Sequence, residues 1–370
     1  MRLVPPYIES LEPYRPGKPA AELQKELGLR HVVKLASNEN PLGPSPLAIE
    51  ELQHHYNDLH IYPNGGLDLR EVLANDYRLK VGNVIVGSGS EGIMSNIIRT
   101  FLCDEDEVLT SDGSFVGFYV LARSRGTKLV TVALSSYRFD LAAIADAIND
   151  HTKIIYLANP NNPTGTIFTK REFDAFIKRV PPHVLIILDE AYFEYAKGNP
   201  EYPDSMAYRY DNVITLRTFS KAYGLAGIRI GYGFAHDVLI GNLLKVKLPF
   251  EPSTLAQAAG IGAFRDTAFL QRTLEVNAAG KKTLNYGLRN LGLNPVPTEA
   301  NFVCVPFENQ SAAEEIYQAL LRHGVIVRPL RAFGLPHCLR ITIGTEEQNR
   351  ILLEALHAVL EEITLAGAKR

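Results

Sequence analysis

Short apolar runs alternate with amphipathic stretches through the middle of the chain. The runs are Asn83–Val86, Glu107–Thr110, Lys128–Val132, Ile154–Ala158, Val184–Leu188, Val213–Leu216 and Ile228–Tyr232. Runs this short and continuously apolar suit strands covered on both faces, where each side of the pleat meets helices rather than water. Helical periodicity lies between them. After Asp140, the residues Leu141, Ile144, Ala145 and Ile148 fall at i, i+3, i+4 and i+7, and the Asp side chain is a suitable N-cap acceptor. The alternation predicts an α/β unit built on a mainly parallel sheet.

The last hundred residues have a different rhythm. A long helical pattern covers Ala268–Leu291. Strand-like Asn301–Val305, Val325–Val327 and Leu339–Ile343 then alternate with a helical stretch near Ala312–His323. A final helix starts at Thr345, which forms a capping box with Gln348; Leu352, Leu356, Val359 and Ile363 supply its apolar stripe. This predicts a smaller α+β domain. The Pro- and Tyr-rich N-terminal arm has no core of its own and is expected to pack with it. The expected organisation is an arm over 1–40, a large domain over 41–267 and a small domain over 268–370.

With 370 residues, the chain has the length of two domains and can bury large cores without disulfides or metal staples. Its net charge of −3 argues against a broad electrostatic drive toward nucleic acid or an anionic membrane. No run of 18 apolar residues suggests a membrane span. Met1–Arg15 lacks the apolar segment of a secretory signal, so a cytoplasmic protein is expected. Cys103, Cys304 and Cys338 lie far apart with no C-x-x-C, and are expected to be small buried hydrophobes. The ten histidines form no H-E-x-x-H, and the adjacent His54 and His55 would not share a helix face; no metal is expected.

Gly87-Ser88-Gly89-Ser90-Glu91-Gly92 matches G-x-G-x-x-G after a strand, with Asp112 about 20 residues on, as in a dinucleotide fold. The physics is more general: free N–H groups at a helix start attract any phosphate. A plain strand-to-helix turn is the other reading. Three further segments each follow an apolar run. Asn159-Pro160-Asn161-Asn162-Pro163-Thr164-Gly165 makes a rigid turn. Asp189-Glu190-Ala191-Tyr192 sets a carboxylate at a buried strand end, where it needs a cation, such as a protonated pyridine nitrogen, or serves as a helix cap. Thr218-Phe219-Ser220-Lys221-Ala222-Tyr223-Gly224, followed by Arg229, offers an amine for an aldehyde and a guanidinium for a phosphate; alone, Lys221 reads sooner as a solvated surface lysine. Phe115 follows another strand, where it can stack on a flat ring or fill the core. Taken together and in this order, the segments have no shared structural explanation.

The N-P-x-N-P-T-G, D-E-A-Y and S-K-x-x-G-L-A-G-x-R segments resemble those of the fold-type I pyridoxal 5′-phosphate (PLP) aminotransferases, in the branch that includes the aspartate, aromatic and histidinol-phosphate aminotransferases. The resemblance to the histidinol-phosphate branch spans nearly the whole chain. It includes Leu11–Gly17, Leu35–Pro41, Tyr62-Pro63 and Leu339–Thr345. It implies a mainly parallel sheet in a large three-layer domain plus a smaller α+β domain. It also implies that Lys221 carries PLP as an imine and shuttles the proton. Asp189 would pair with the ring nitrogen, Tyr192 and Asn162 would bond the ring oxygen, and Phe115 would stack on the ring. Gly89, Ser90, Ser220 and Arg229 would hold the phosphate. Tyr14, Asn38, Arg328 and Arg340 would bind substrate, and Tyr62 would reach a second subunit's site in a homodimer. The implied reaction transfers an amino group from histidinol phosphate to 2-oxoglutarate, giving imidazole acetol phosphate and glutamate. Aromatic amino acids as donors, decarboxylation of threonine phosphate, and an aminotransferase-like transcription regulator are the alternatives. The last would bring a basic DNA-binding domain, whereas only about 30 residues precede the matching region and the chain is slightly acidic.

Overall fold

In the computed structural model, which describes residues 3–12 and 18–367, the strands are, in chain order, β1 (Val33–Lys34), β2 (Val84–Gly87), β3 (Glu107–Ser111), β4 (Lys128–Val132), β5 (Thr152–Ala158), β6 (Leu185–Asp189), β7 (Val213–Thr218), β8 (Gly231–Phe234), β9 (Phe302–Pro306), β10 (Val325–Ile326), β11 (Arg328–Pro329) and β12 (Cys338–Thr342). Seven of them form one sheet in the order β2-β8-β7-β6-β5-β3-β4. The strands that are apolar throughout are central: Ile155, Ile186, Ile187, Leu188, Ile214 and Leu216 are all buried. β4, with Lys128 and Thr131 exposed, lies at an edge. Each fully buried Leu or Ile contributes roughly 1.5–3 kcal/mol through water removed from its surface.

Neighbours among β3 to β7 run parallel, whereas β8 pairs antiparallel with both β2 and β7. The run expected at Ile228–Tyr232 is displaced to Gly231–Phe234. Ala226–Ile228 forms a tight 3-10 turn and Arg229 adopts φ 57°, a left-handed conformation that interrupts an extended strand. The direction of the other strands brings the ends of β2, β3, β5, β6 and β7 to one edge, the position at which open α/β sheets bind ligands.

Arg217 on β7 is the charged exception in the interior. It donates to Glu190 (2.9 Å), Asp204 (2.9 Å) and the Tyr77 hydroxyl (3.0 Å), and lies 3.3 Å from the centroid of the Phe193 ring. Removing one partner from such a buried pair costs about 3–5 kcal/mol, so the group fixes Glu190 and with it the end of β6.

The second region is built on the antiparallel sheet β11-β12-β9 and the helices Thr267–Asn290, Gln310–Arg322 and Glu346–Gly367. Leu284, Leu288, Val303, Leu320, Ile341, Leu352 and Val359 share its core. The Thr345 box forms as expected: Thr345 N–H donates to Gln348 and Gln348 N–H to Thr345. Asp140 likewise caps its helix by accepting from Ala143 N–H at 3.0 Å. The arm contributes to this region, since β1 pairs with β10 and Leu23 packs with Leu321 and Ile326. Its helix Pro6–Glu9 instead sets Tyr7 over Gly126, beyond the helix Val116–Ser124 of the large sheet. Cys304 and Cys338 are buried, whereas Cys103 is exposed, a correction to expectation: it sits in the loop after the helix Gly89–Phe101, its N–H held by Asp106.

Candidate active site

At the carboxyl edge of the large sheet lies a cavity of about 560 Å³, lined by Ser90, Phe115, Asn162, Asp189, Tyr192, Ser220, Lys221 and Arg229 among others. Asp189, the last residue of β6, stands in its wall. Its carboxylate accepts from the Tyr156 hydroxyl at 2.6 Å and from Ala191 N–H at 3.2 Å. Burial raises its pKa to about 6, against the opposing pull of these two donors. Both donors are neutral, so a cation brought against Asp189 would recover the cost of burying its charge.

Lys221 enters from the turn after β7. Its Nζ donates to the Ser37 carbonyl at 3.3 Å and lies 5.8 Å from the Tyr192 ring centroid. Burial, then the nearby Arg340 and Arg229 charges, bring its pKa down to about 8. The neutral amine is the nucleophile, and raising the pH produces it. Capture of Lys221 by an aldehyde and borohydride should therefore rise with pH and reach half its maximum near pH 8. Peptide mapping of the labelled lysine checks this; a midpoint above 10 would contradict it.

At the other end, Gly89 opens the helix Gly89–Phe101 with φ +77°, and a Cβ there would stand 2.7 Å from Arg229 Nη2. Only glycine permits that approach of the guanidinium to the helix start. Arg229 donates to Ser220 Oγ (3.4 Å), the Ala226 carbonyl (3.1 Å) and Glu91 (3.2 Å). Helix start and guanidinium together form an anion site.

Asn162 accepts from Arg340 Nη1 at 2.5 Å, and Arg340 Nη2 donates to the Ala36 carbonyl at 2.8 Å, which brings β12 and the arm to the cavity. Asn38 is buried beside the cavity rather than lining it. Its amide donates to the Tyr192 hydroxyl at 2.9 Å and its carbonyl oxygen accepts from Thr342, so it positions Tyr192. Arg328 pairs opposite Arg340 but lines a second cavity of about 930 Å³ with Lys18, Tyr317 and Arg331; Val120 borders both cavities. Tyr62 is 78% exposed, stacked on Phe250 at 4.4 Å and away from the cavity. Tyr14 lies outside the described residues. Asp112 is exposed and accepts from Leu134 N–H, so it does not serve as the ribose acid of a dinucleotide site.

Sequence reasoning missed Tyr156 and Glu91. Tyr156 is the one hydroxyl in the apolar run Ile154–Ala158, and a buried tyrosine needs a hydrogen-bond partner; that signal was present. Glu91 was hidden inside the glycine turn. Asn161 was missed as well: it accepts from Ser114 and donates to the Gly113 carbonyl, tying two cavity loops together.

The chain matches the family described as aminotransferase class I and II over residues 30–356. It is 44% identical to a histidinol-phosphate aminotransferase of Moorella thermoacetica (95% of this chain, 92% of the relative) and 42% identical to histidinol-phosphate aminotransferase 1 of Nitrosococcus oceani (96% of each). Among solved structures, the histidinol-phosphate aminotransferase of Sinorhizobium meliloti in complex with pyridoxal-5′-phosphate superposes with a TM-score of 0.88 at 30% identity, over 98% of this chain and 99% of that one. An aspartate aminotransferase of Thermus thermophilus shares the fold at 23% identity and a TM-score of 0.83, over 97% and 100%.

Proposed function

The chain belongs to the class I and II aminotransferases, and on that premise we propose that it uses PLP to transfer the amino group of L-histidinol phosphate to 2-oxoglutarate, giving imidazole acetol phosphate and glutamate in histidine biosynthesis. The observation that carries the substrate is the name borne by relatives 40–44% identical over nearly their whole length.

The residues present fit the cofactor. A buried carboxylate with only neutral donors, an amine held near neutrality and a glycine-only approach to a helix start suit a cationic ring nitrogen, an aldehyde and a phosphate respectively. Bound PLP supplies an electron sink for the carbon that loses its proton. Asp189, fixed by Tyr156, would keep the ring nitrogen protonated. Lys221 would hold the cofactor covalently and, once released, take the proton from the substrate carbon on Nζ and pass it to the cofactor's C4′ carbon. Tyr192 and Asn162 would bond the ring oxygen, and Phe115 would cover one ring face. Gly89, Ser90, Ser220 and Arg229 would hold the phosphate. Arg340 would grip the substrate's own phosphate, because its planar fork matches two oxygens at once. Arg328 and Tyr14 would face the substrate side.

Tyr62 would belong to a partner's site in a homodimer. The exposed apolar patch of Leu59, Ile61, Tyr62, Leu248 and Phe250 supports that reading, and sedimentation equilibrium tests it. Among the described residues no helix is long and apolar enough to cross a membrane; a cytoplasmic location is proposed.

Steady-state rates with histidinol phosphate, phenylalanine and threonine phosphate, each with 2-oxoglutarate, test the substrate. The largest kcat/KM is expected for histidinol phosphate, with one glutamate formed per donor consumed. A larger value for phenylalanine, or release of CO₂ from threonine phosphate, would contradict the assignment.

A further inference from the structure

The anion site at the start of the helix Gly89–Phe101 already contains an acid. Glu91 lies in the first turn of that helix and lines the cavity. Its carboxylate accepts from Arg229 Nη2 at 3.2 Å, and the two side chains are each 48% exposed. The placement is tight. A Cβ on Gly117 would stand 2.7 Å from Glu91 Oε1, and one on Gly89 would stand 2.7 Å from Arg229 Nη2, so two glycines leave room for the pair. A second acid, Glu251, accepts from Ser88 N–H at 3.0 Å just before the helix.

A helix start and a guanidinium attract negative charge, and a carboxylate in the first turn satisfies both. A phosphate at the same place needs the same guanidinium and meets a like charge beside it. We propose that Glu91 is an internal competitor of the cofactor phosphate: it holds Arg229 whenever no phosphate does, and it lowers the affinity of the site for phosphate. This rests on the reading that the PLP phosphate binds between Gly89, Ser90, Ser220 and Arg229. Glu91 acts through Arg229 and is a positioning residue.

Calorimetric titration of the cofactor-stripped protein with inorganic phosphate, PLP and pyridoxal tests this. In Glu91→Gln, phosphate and PLP should bind roughly two- to fivefold more tightly, the range for a half-exposed charge at a helix start. Pyridoxal, which has no phosphate, should bind as it does to the wild type. Glu91→Ala, which offers Arg229 no amide oxygen, should shift in the same direction. A general disturbance of the fold would weaken all three ligands together. Unchanged or weaker phosphate binding in both variants overturns this proposal alone. Failure of the wild-type protein to bind PLP overturns the cofactor assignment and this proposal with it.

Discussion

Lys221→Ala is expected to lower kcat by roughly 10⁴-fold or more, the combined scale of losing a nucleophile and an acid–base group in one side chain. Two features of the site support so large an effect. The amine stands in a cavity wall, held by the Ser37 carbonyl, and its pKa is brought down to about 8, so roughly a tenth of it is the neutral nucleophile at pH 7, far more than for a free lysine. Alanine removes a half-buried side chain without leaving a buried charge unpaired, so the fold should survive and the protein should still bind PLP non-covalently. Single-turnover measurements with histidinol phosphate, together with a thermal melt, separate lost chemistry from lost structure. A variant within tenfold of wild type would remove Lys221 from its role.

Asp189→Asn is expected to act in opposite directions on activity and stability. The amide is close to isosteric and can still accept from Tyr156, so geometry is kept while charge is lost. Loss of one preorganised electrostatic partner of a charge-bearing ring typically costs about 10²–10³ in kcat. Stability of the cofactor-free protein should rise. The folded pKa is raised from 3.8 to about 6, so between these values the native state keeps a proton that the unfolded chain has released. Stability therefore falls as pH climbs through that window, and the penalty is fully present at pH 7. Removing the ionisable group should recover on the order of 1–3 kcal/mol at pH 7 and nothing below pH 3.5. Urea unfolding of both proteins at the two pH values checks the sign. Loss of stability at pH 7 would mean that the carboxylate is already compensated within the chain.

Much of the site was legible because its loops follow strands whose apolar runs are continuous. Asp189, Asn162, Lys221 and Phe115 were each picked out by position after such a run, and all line one cavity. An apolar run does not encode direction, so β8 was not foreseen as antiparallel, nor the left-handed Arg229 that displaces it. The helices Pro46–His54 and Thr254–Arg265 were not predicted from the apolar pattern; the second is rich in Ala and Gly, whose small side chains give little amphipathic contrast. Pair interactions were the least legible. That Asn38 spends its amide on Tyr192, that Asn161 ties two loops, and that Glu91 occupies Arg229 all depend on residues distant in sequence.

The most direct test of the covalent role of Lys221 is borohydride reduction of the purified protein supplied with PLP, followed by peptide mass mapping. A single reduced adduct on Lys221, accompanied by loss of the yellow absorbance, is the expected result. Protein that stays colourless, or an adduct confined to other lysines, would contradict it.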